Sequence, residues 1–337
     1  MKSSVFLATA VLLVVNLPVH AQGEDLFQNC LIETMSEADS STTIGELRKT
    51  CEEKVKTKNL EARTIVSDSS DAAASKRLRE EAVTEEQPFV ITPYLPNYVL
   101  LGAYNASDPN VEPYREAFGD PDYELDDVEL KFQLSLKVPL AHSLIGNNGD
   151  LYAAYTNRSF WQAYNTDQSS PFRETNHQPE AWMRFYNDWN LWGLRNIVND
   201  IGIVHQSNGR GGNLSRSWNR IYARFVFEKD NLAFSFQPWY RIKEDEEKDN
   251  NPDIEDYMGN FEFLTAYKPG DHEFSLMFRN NLESEDNRGA AQLDWSFPLG
   301  NRVNGYVQWF NGYGESMIDY NHHVNSVGVG ISLTDWL

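Results

Sequence analysis

One stretch of the chain holds residue types that can cleave an ester when they stand together. It runs Ile201-Gly-Ile-Val-His-Gln-Ser-Asn-Gly-Arg-Gly-Gly-Asn-Leu-Ser-Arg-Ser-Trp-Asn-Arg-Ile-Tyr222. Two runs of alternating polarity flank a glycine-rich connection. If both are strands, alternation puts Ile201, Ile203, His205 and Ser207 on one face of the first. The same rule puts Asn219, Ile221, Ala223, Phe225 and Phe227 on one face of the second, with Trp218, Arg220, Tyr222 and Arg224 on the other. A hairpin centred near Gly212 sets position 205 opposite 219, and cross-strand neighbours sit about 5 Å apart. A serine hydroxyl is unreactive alone; beside an imidazole it can be deprotonated, and an amide can fix the ring tautomer. Asn rather than Asp suits a wall that faces lipid, where an ionised carboxylate is expensive. His-x-Ser beside a loop is also ordinary polar rim decoration, so on these residues alone both readings stand.

The elements that must hold the three residues read as barrel strands. Beyond Phe89, segments of about ten residues alternate in polarity between clusters of Asn, Gly, Asp and Pro. The pattern predicts twelve strands, near 97–104, 127–140, 150–163, 177–187, 192–207, 215–228, 231–243, 255–267, 271–281, 288–298, 302–313 and 322–334. Roughly 20 residues per strand plus turn fits membrane-crossing strands, which need about 9–11 residues. A soluble β-sandwich or propeller shares the alternation, but aromatics near the strand ends favour the membrane. The expectation is an all-β, twelve-stranded antiparallel transmembrane β-barrel over 89–337, with its charged face towards the lumen. His205, Ser207 and Asn219 then face lipid at the extracellular rim, and the even strand count leaves both termini periplasmic.

Composition narrows the alternatives. The 337 residues carry 29 Lys+Arg against 50 Asp+Glu, a formal charge of -21, which argues against a nucleic-acid partner. After the N-terminus no apolar run approaches the ~18 residues of a spanning helix. Aromatics at 13% exclude a wholly disordered chain, and two cysteines exclude a disulfide-dense scaffold. Residues 1–21 read as a secretory signal peptide, with Lys2, an apolar stretch from Val5 to Val19, and cleavage after Ala21. Residues 22–88 read as a small, partly helical periplasmic extension and linker, because their one aromatic is Phe27 while every Trp and Tyr lies beyond Phe89. The stretch 44–58 is helix-friendly, and 66–87 has linker composition. Cys30 and Cys51 are expected to pair in the oxidising compartment, a bridge worth roughly 3 kcal/mol.

His205-Gln-Ser-Asn-Gly-Arg210 followed by Ser215-Arg-Ser-Trp-Asn-Arg220 resembles the outer membrane phospholipase A family of Gram-negative bacteria. Lys131–Leu136, Ser169-Ser-Pro-Phe-Arg-Glu-Thr-Asn176, Asn251-Pro-Asp253 with Tyr257-Met-Gly259, and Gly312–Tyr320 match as well. The resemblance covers about three quarters of the chain, from Phe89 on. It implies a calcium-dependent phospholipase A1/A2 and lysophospholipase of the outer membrane, active as a homodimer. By motif position Ser207 is the nucleophile, His205 the base and Asn219 its orienting residue, with the Gly209 N–H donating to the oxyanion. The same carry-over assigns Ca2+ to the Arg210 carbonyl and Ser215 hydroxyl of one subunit and the Ser169 carbonyl of the other.

Some positions depart from the family pattern. Gly211-Gly-Asn213 is not acidic, and Asn250 stands where relatives can carry an acid, so a second, loop-bound calcium is not expected. Asn157 stands where a longer Gln can serve the dimer contact, and the chain ends Asp335-Trp-Leu337 rather than on an aromatic. Glu244–Asp249 reads as a solvated loop, His177 and His322-His323 as rim residues, and Arg220 and Arg224 as lumen ion-pair partners. The rivals are a non-enzymatic channel or surface scaffold and a soluble secreted esterase.

Overall fold

The computed structural model describes residues 30–35, 42–51, 71–85, 90–146, 148–245, 247–300 and 302–337. The signal-peptide expectation for 1–21 lies outside these. Twelve strands close into one antiparallel barrel. They are β2 (Asn97–Asn105), β3 (Val128–Ala141), β4 (Asp150–Trp161), β5 (Phe172–Leu191), β6 (Leu194–Ser207) and β7 (Ser217–Lys229). The circuit continues through β8 (Leu232–Ile242), β9 (Phe261–Tyr267), β10 (Glu273–Asn280), β11 (Gly289–Pro298), β12 (Asn304–Tyr313) and β13 (His323–Thr334). A two-residue strand, β1 (Thr92–Pro93), pairs with β3 just ahead of β2. All twelve expected strands are present. One begins late: residues 254–258 form a helical turn (Ile254–Met258), and β9 starts only after Gly259.

Parity governs the wall. Ile201 and Ile203 are each 58% exposed on the outside of β6, while Val204 between β6's outward residues is 5% exposed. Leu101, Leu134, Ile221, Leu276, Leu293 and Val329 continue the apolar outer surface. The lumen is packed with charge: Lys131 meets Glu315 at 2.8 Å, Arg173 meets Glu129 at 2.9 Å, and Arg184 meets Asp200 at 2.9 Å. Arg224 joins this network through Asp200 at 3.3 Å. Arg220 does not form an ion pair among the described residues. Its guanidinium donates to Gln206 Oε1 at 3.2 Å and lies 3.9 Å from the centroid of the Trp218 ring. A cation on an aromatic face is stabilised without a counter-ion.

The described parts of the N-terminal segment are helical and disulfide-bonded as expected, and the difference lies in the stretch expected to be a linker. Residues 30–35 and 44–51 are helical, and Cys30 bonds to Cys51 with 5.7 Å between Cα atoms. Residues 73–85, inside the expected linker, form helix α1 (Ala73–Glu85), which docks into the end of the barrel that holds the short turns and the C-terminus. The Ser75 backbone N–H and hydroxyl donate to Glu228 at 2.9 and 2.7 Å, so the carboxylate satisfies one first-turn N–H at the positive end of the helix. Lys137 of β3 meets Glu81 at 2.6 Å and Glu85 at 3.2 Å, and Arg77 donates to the Asp335 carbonyl at 2.7 Å. Burial pushes the Glu81 carboxyl up, but Lys137 and Arg77 outweigh it and hold the group at about 2. Charged residues dock on the charged part of the lumen mouth, while Ala74 and Leu78 join a small apolar cluster with Ile197, Val198, Val226 and Leu337.

Candidate active site

The β6–β7 hairpin stands at the rim opposite α1, where the longer loops gather. Its register sets His205 opposite Asn219. That is the pairing expected from a hairpin centred near Gly212, and it results in contact: Asn219 Oδ1 lies 2.8 Å from His205 Nδ1. Both side chains are half-buried on the outer wall. Ser207 stands two residues along the same face, opposite Ser217 on one side and His177 of β5 on the other. Among the described residues Ser207 and His205 share no hydrogen bond. Such contacts often tighten only when substrate is bound.

The connection between the strands is held by a residue the sequence did not single out. Asn208, 4% exposed, donates from Nδ2 to the Leu214 carbonyl at 2.7 Å. Its Oδ1 accepts from the Arg210 and Arg216 backbone N–H groups at 3.2 and 3.0 Å. An Asn-Gly pair between alternating strands is a turn signature, which is the signal that points to it. Gly209 follows with φ +64°, a conformation that costs other residues, and its N–H has no acceptor among the described residues. An unpaired N–H beside a hydroxyl can receive a developing oxyanion. The His177 ring packs against this glycine: a Cβ there would lie 3.5 Å from its Nε2. The Tyr155 hydroxyl sits 2.6 Å from His177 Nδ1. His177 is therefore more than a rim residue, since it borders both Ser207 and Gly209.

The positions expected to bind calcium are oxygen-rich. The Arg210 guanidinium turns inward and donates to the Phe172 and Arg173 carbonyls at 2.8 and 2.7 Å. Among the described residues its own carbonyl accepts no hydrogen bond, and neither does that of Ser169. Ser169 and Ser170 both hold left-handed backbone, with φ of 59° and 51°, in the β4–β5 loop. The Ser215 hydroxyl accepts from Asn250 Nδ2 at 3.1 Å. Asp249 is not free to help, because Arg241 grips both its oxygens at 2.7 and 2.8 Å. Nearby, Arg173 and the Ser316 hydroxyl, at 2.8 and 2.7 Å, hold the buried Asp319 carboxyl below its usual range despite its burial.

The expected solvated loop at 244–249 is solvated only in part. Lys243, Asp245, Glu247 and Lys248 are exposed, but Asp249 is paired inward and Glu244 is half-buried against Asn219. His322 and His323 are rim residues: His322 Nε2 lies 2.9 Å from the Asp108 carbonyl oxygen, and His323 packs on Tyr313. On β4 and β5 a polar strip crosses the outer wall beside the site. Asn157 pairs in register with His177, and the Ser159 hydroxyl donates to Asn157 Oδ1 at 3.0 Å.

Comparison with known proteins shows which family the chain resembles over most of its length. The family model for Phospholipase A1 matches residues 74–333. Phospholipase A1 of Klebsiella pneumoniae is 40% identical over 252 residues, 74% of this chain and 84% of that protein. The Escherichia coli K12 enzyme is 39% identical over 254 residues, 74% of this chain and 83% of that protein. The solved outer membrane phospholipase A from Escherichia coli superposes with a TM-score of 0.69 at 38% identity, covering 74% of this chain and 100% of that one. A Salmonella typhi outer membrane phospholipase, solved as a dimer with bound calcium, superposes with a TM-score of 0.69 at 37% identity over 77% of this chain and 97% of that one. With a barrel of the same fold and a match that spans well over half of its length, the chain belongs to the outer membrane phospholipase A family, whose family model is Phospholipase A1.

Proposed function

We propose that this outer-membrane phospholipase hydrolyses acyl esters of glycerophospholipids and lysophospholipids through a Ser207–His205–Asn219 triad, at the outer leaflet and as a calcium-dependent dimer. The observation that carries this is the His205–Asn219 contact on the outer wall, beside Ser207 and the unpaired Gly209 N–H. An amide oxygen only accepts, so His205 Nδ1 holds its proton and Nε2 is left with a lone pair. Nε2 takes the Ser207 proton as Oγ attacks the ester carbonyl, and the Gly209 N–H receives the oxyanion. The C–O bond breaks, His205 returns the proton to the leaving alcohol, and an acyl group remains on Ser207. Water then repeats the sequence and releases the fatty acid. The Arg210 and Ser169 carbonyls and the Ser215 hydroxyl suit a hard cation such as calcium, which supplies further polarisation of the ester carbonyl when bound. Ser169 is read as the second subunit's contribution, and the polar strip at Asn157 supports a barrel-to-barrel contact on this wall. The termini and α1 are assigned to the periplasmic end. The charged network that crosses the lumen gives a channel no support.

The test is fatty-acid release from phospholipid in detergent micelles, with excess calcium or with chelator. Release that needs both Ser207 and calcium is expected. Equal release from Ser207→Ala, or none from the wild type at detergent levels that permit dimers, sinks the assignment.

A further inference from the structure

The triad residue that orients His205 is itself oriented. Asn219 Nδ2 donates to Glu244 Oε1 at 2.9 Å, while its Oδ1 faces His205 Nδ1 at 2.8 Å. The two contacts lie at opposite ends of one amide. β8 brings Glu244 there: Ile242, its last residue, pairs with Asn219, and Glu244 continues the outward face of Tyr240 and Ile242. Its neighbours Lys243, Asp245 and Glu247 point into solvent, and it alone of these turns back over the hairpin.

An amide can be turned by half a rotation at little intrinsic cost, and the two orientations are chemically opposite for the base. With the oxygen on His205, the ring is protonated at Nδ1 and its Nε2 can accept a proton. With the NH2 on His205, the ring must offer the Nδ1 lone pair, Nε2 carries the hydrogen, and the base is lost. A carboxylate has no hydrogen to donate, so Glu244 can only be met by the NH2 end. We propose that Glu244 is a positioning residue: by taking the Asn219 N–H it fixes the amide oxygen on His205 and so sets the ring tautomer. This rests on the triad reading above. It also places the full negative charge one residue outward, in a half-exposed loop where a carboxylate keeps part of its hydration, rather than on the lipid-facing wall.

The experiment measures fatty-acid release by the full chain in calcium-containing micelles for Glu244→Ala, Glu244→Gln, Asn219→Ala, Ser207→Ala and the double variant Glu244→Ala/Asn219→Ala. Glu244→Ala is expected to lower kcat about tenfold, the size of one charged hydrogen bond, with KM unchanged. Glu244→Gln, which keeps an acceptor oxygen, recovers most of that loss. On the Asn219→Ala background, removing Glu244 costs less than about twofold, because the group it steers is gone. Wild-type kcat in Glu244→Ala, a Gln variant no faster than Ala, or an undiminished loss on Asn219→Ala overturns the proposal while leaving the triad intact. Full activity in Ser207→Ala overturns the triad, and the role of Glu244 with it.

Discussion

At the scale of single residues, the site depends on backbone that only one residue type adopts cheaply. Gly209 has φ +64°, and a Cβ there meets His177 at 3.5 Å, ordinary contact rather than a clash. The cost of Gly209→Ala is therefore conformational, about 1–2 kcal/mol. If the loop relaxes to avoid that cost, the N–H turns away from Ser207. The expected outcome is a small fall in thermal stability with a fall in kcat of at least tenfold, read by melting temperature and fatty-acid release on the same preparation. Ser207→Ala should remove activity almost wholly, roughly 10⁴-fold or more, without moving the melting temperature. The placement of His205 opposite Asn219, with Ser207 on the same face, was legible in the sequence because strand parity and hairpin symmetry are local rules. Glu244 and His177 were not. Glu244 arrives from the end of β8 by a loop whose path no periodicity encodes. His177 meets Ser207 across the β5–β6 register, and a run of polar residues in a rim strand does not disclose which of them face each other.

At the scale of elements, the barrel was legible and its helix was not, and the reason is the polarity of what each packs against. A strand between lipid and a polar lumen must alternate, so its period is visible. α1 docks into the lumen mouth largely through polar contacts of Arg77, Glu81 and Ser75, with Ala74 and Leu78 as its apolar contribution, and a helix docked this way has little apolar stripe to reveal it. The same physics makes α1 acid-sensitive. The Glu81 carboxyl is held at about 2, below its usual range, so it binds its proton more readily in the undocked state. Its contribution is full above the ordinary carboxylate range, near pH 4.5, and is lost as pH falls towards 2. The difference amounts to about 3 kcal/mol. Hydrogen exchange across residues 73–85, corrected for intrinsic rate, should show α1 loosening between pH 4.5 and 2.5 while the β-strands stay protected. In Glu81→Gln the acid-dependent part should shrink, and an unchanged profile would show that another group governs docking.

At the scale of the whole molecule, the proposed calcium site has a weakness that a substitution can repair. Its assigned donors are two carbonyls and a hydroxyl, all neutral, drawn from Arg210 and Ser215 of one barrel and Ser169 of another. The carboxylate nearest in the chain to Asn250, Asp249, is spent on Arg241. Calcium affinity scales with ligand charge, and sites with little charge bind in about the 10⁻⁴–10⁻³ M range. Half-maximal activity is therefore expected at such calcium levels. Asn250 touches the Ser215 hydroxyl at 3.1 Å, so Asn250→Asp brings a negative oxygen to the assigned ligand set. That variant should lower the calcium needed for half-maximal activity by about tenfold, since one charge-assisted contact is worth about 1.5 kcal/mol or more. If the donors come from two barrels as proposed, the same variant should hold dimers together at higher detergent-to-protein ratios, seen by crosslinking alongside activity. A tighter calcium response with no change in dimerisation would place the cation within one subunit. A calcium response that does not move at all would place it away from Ser215.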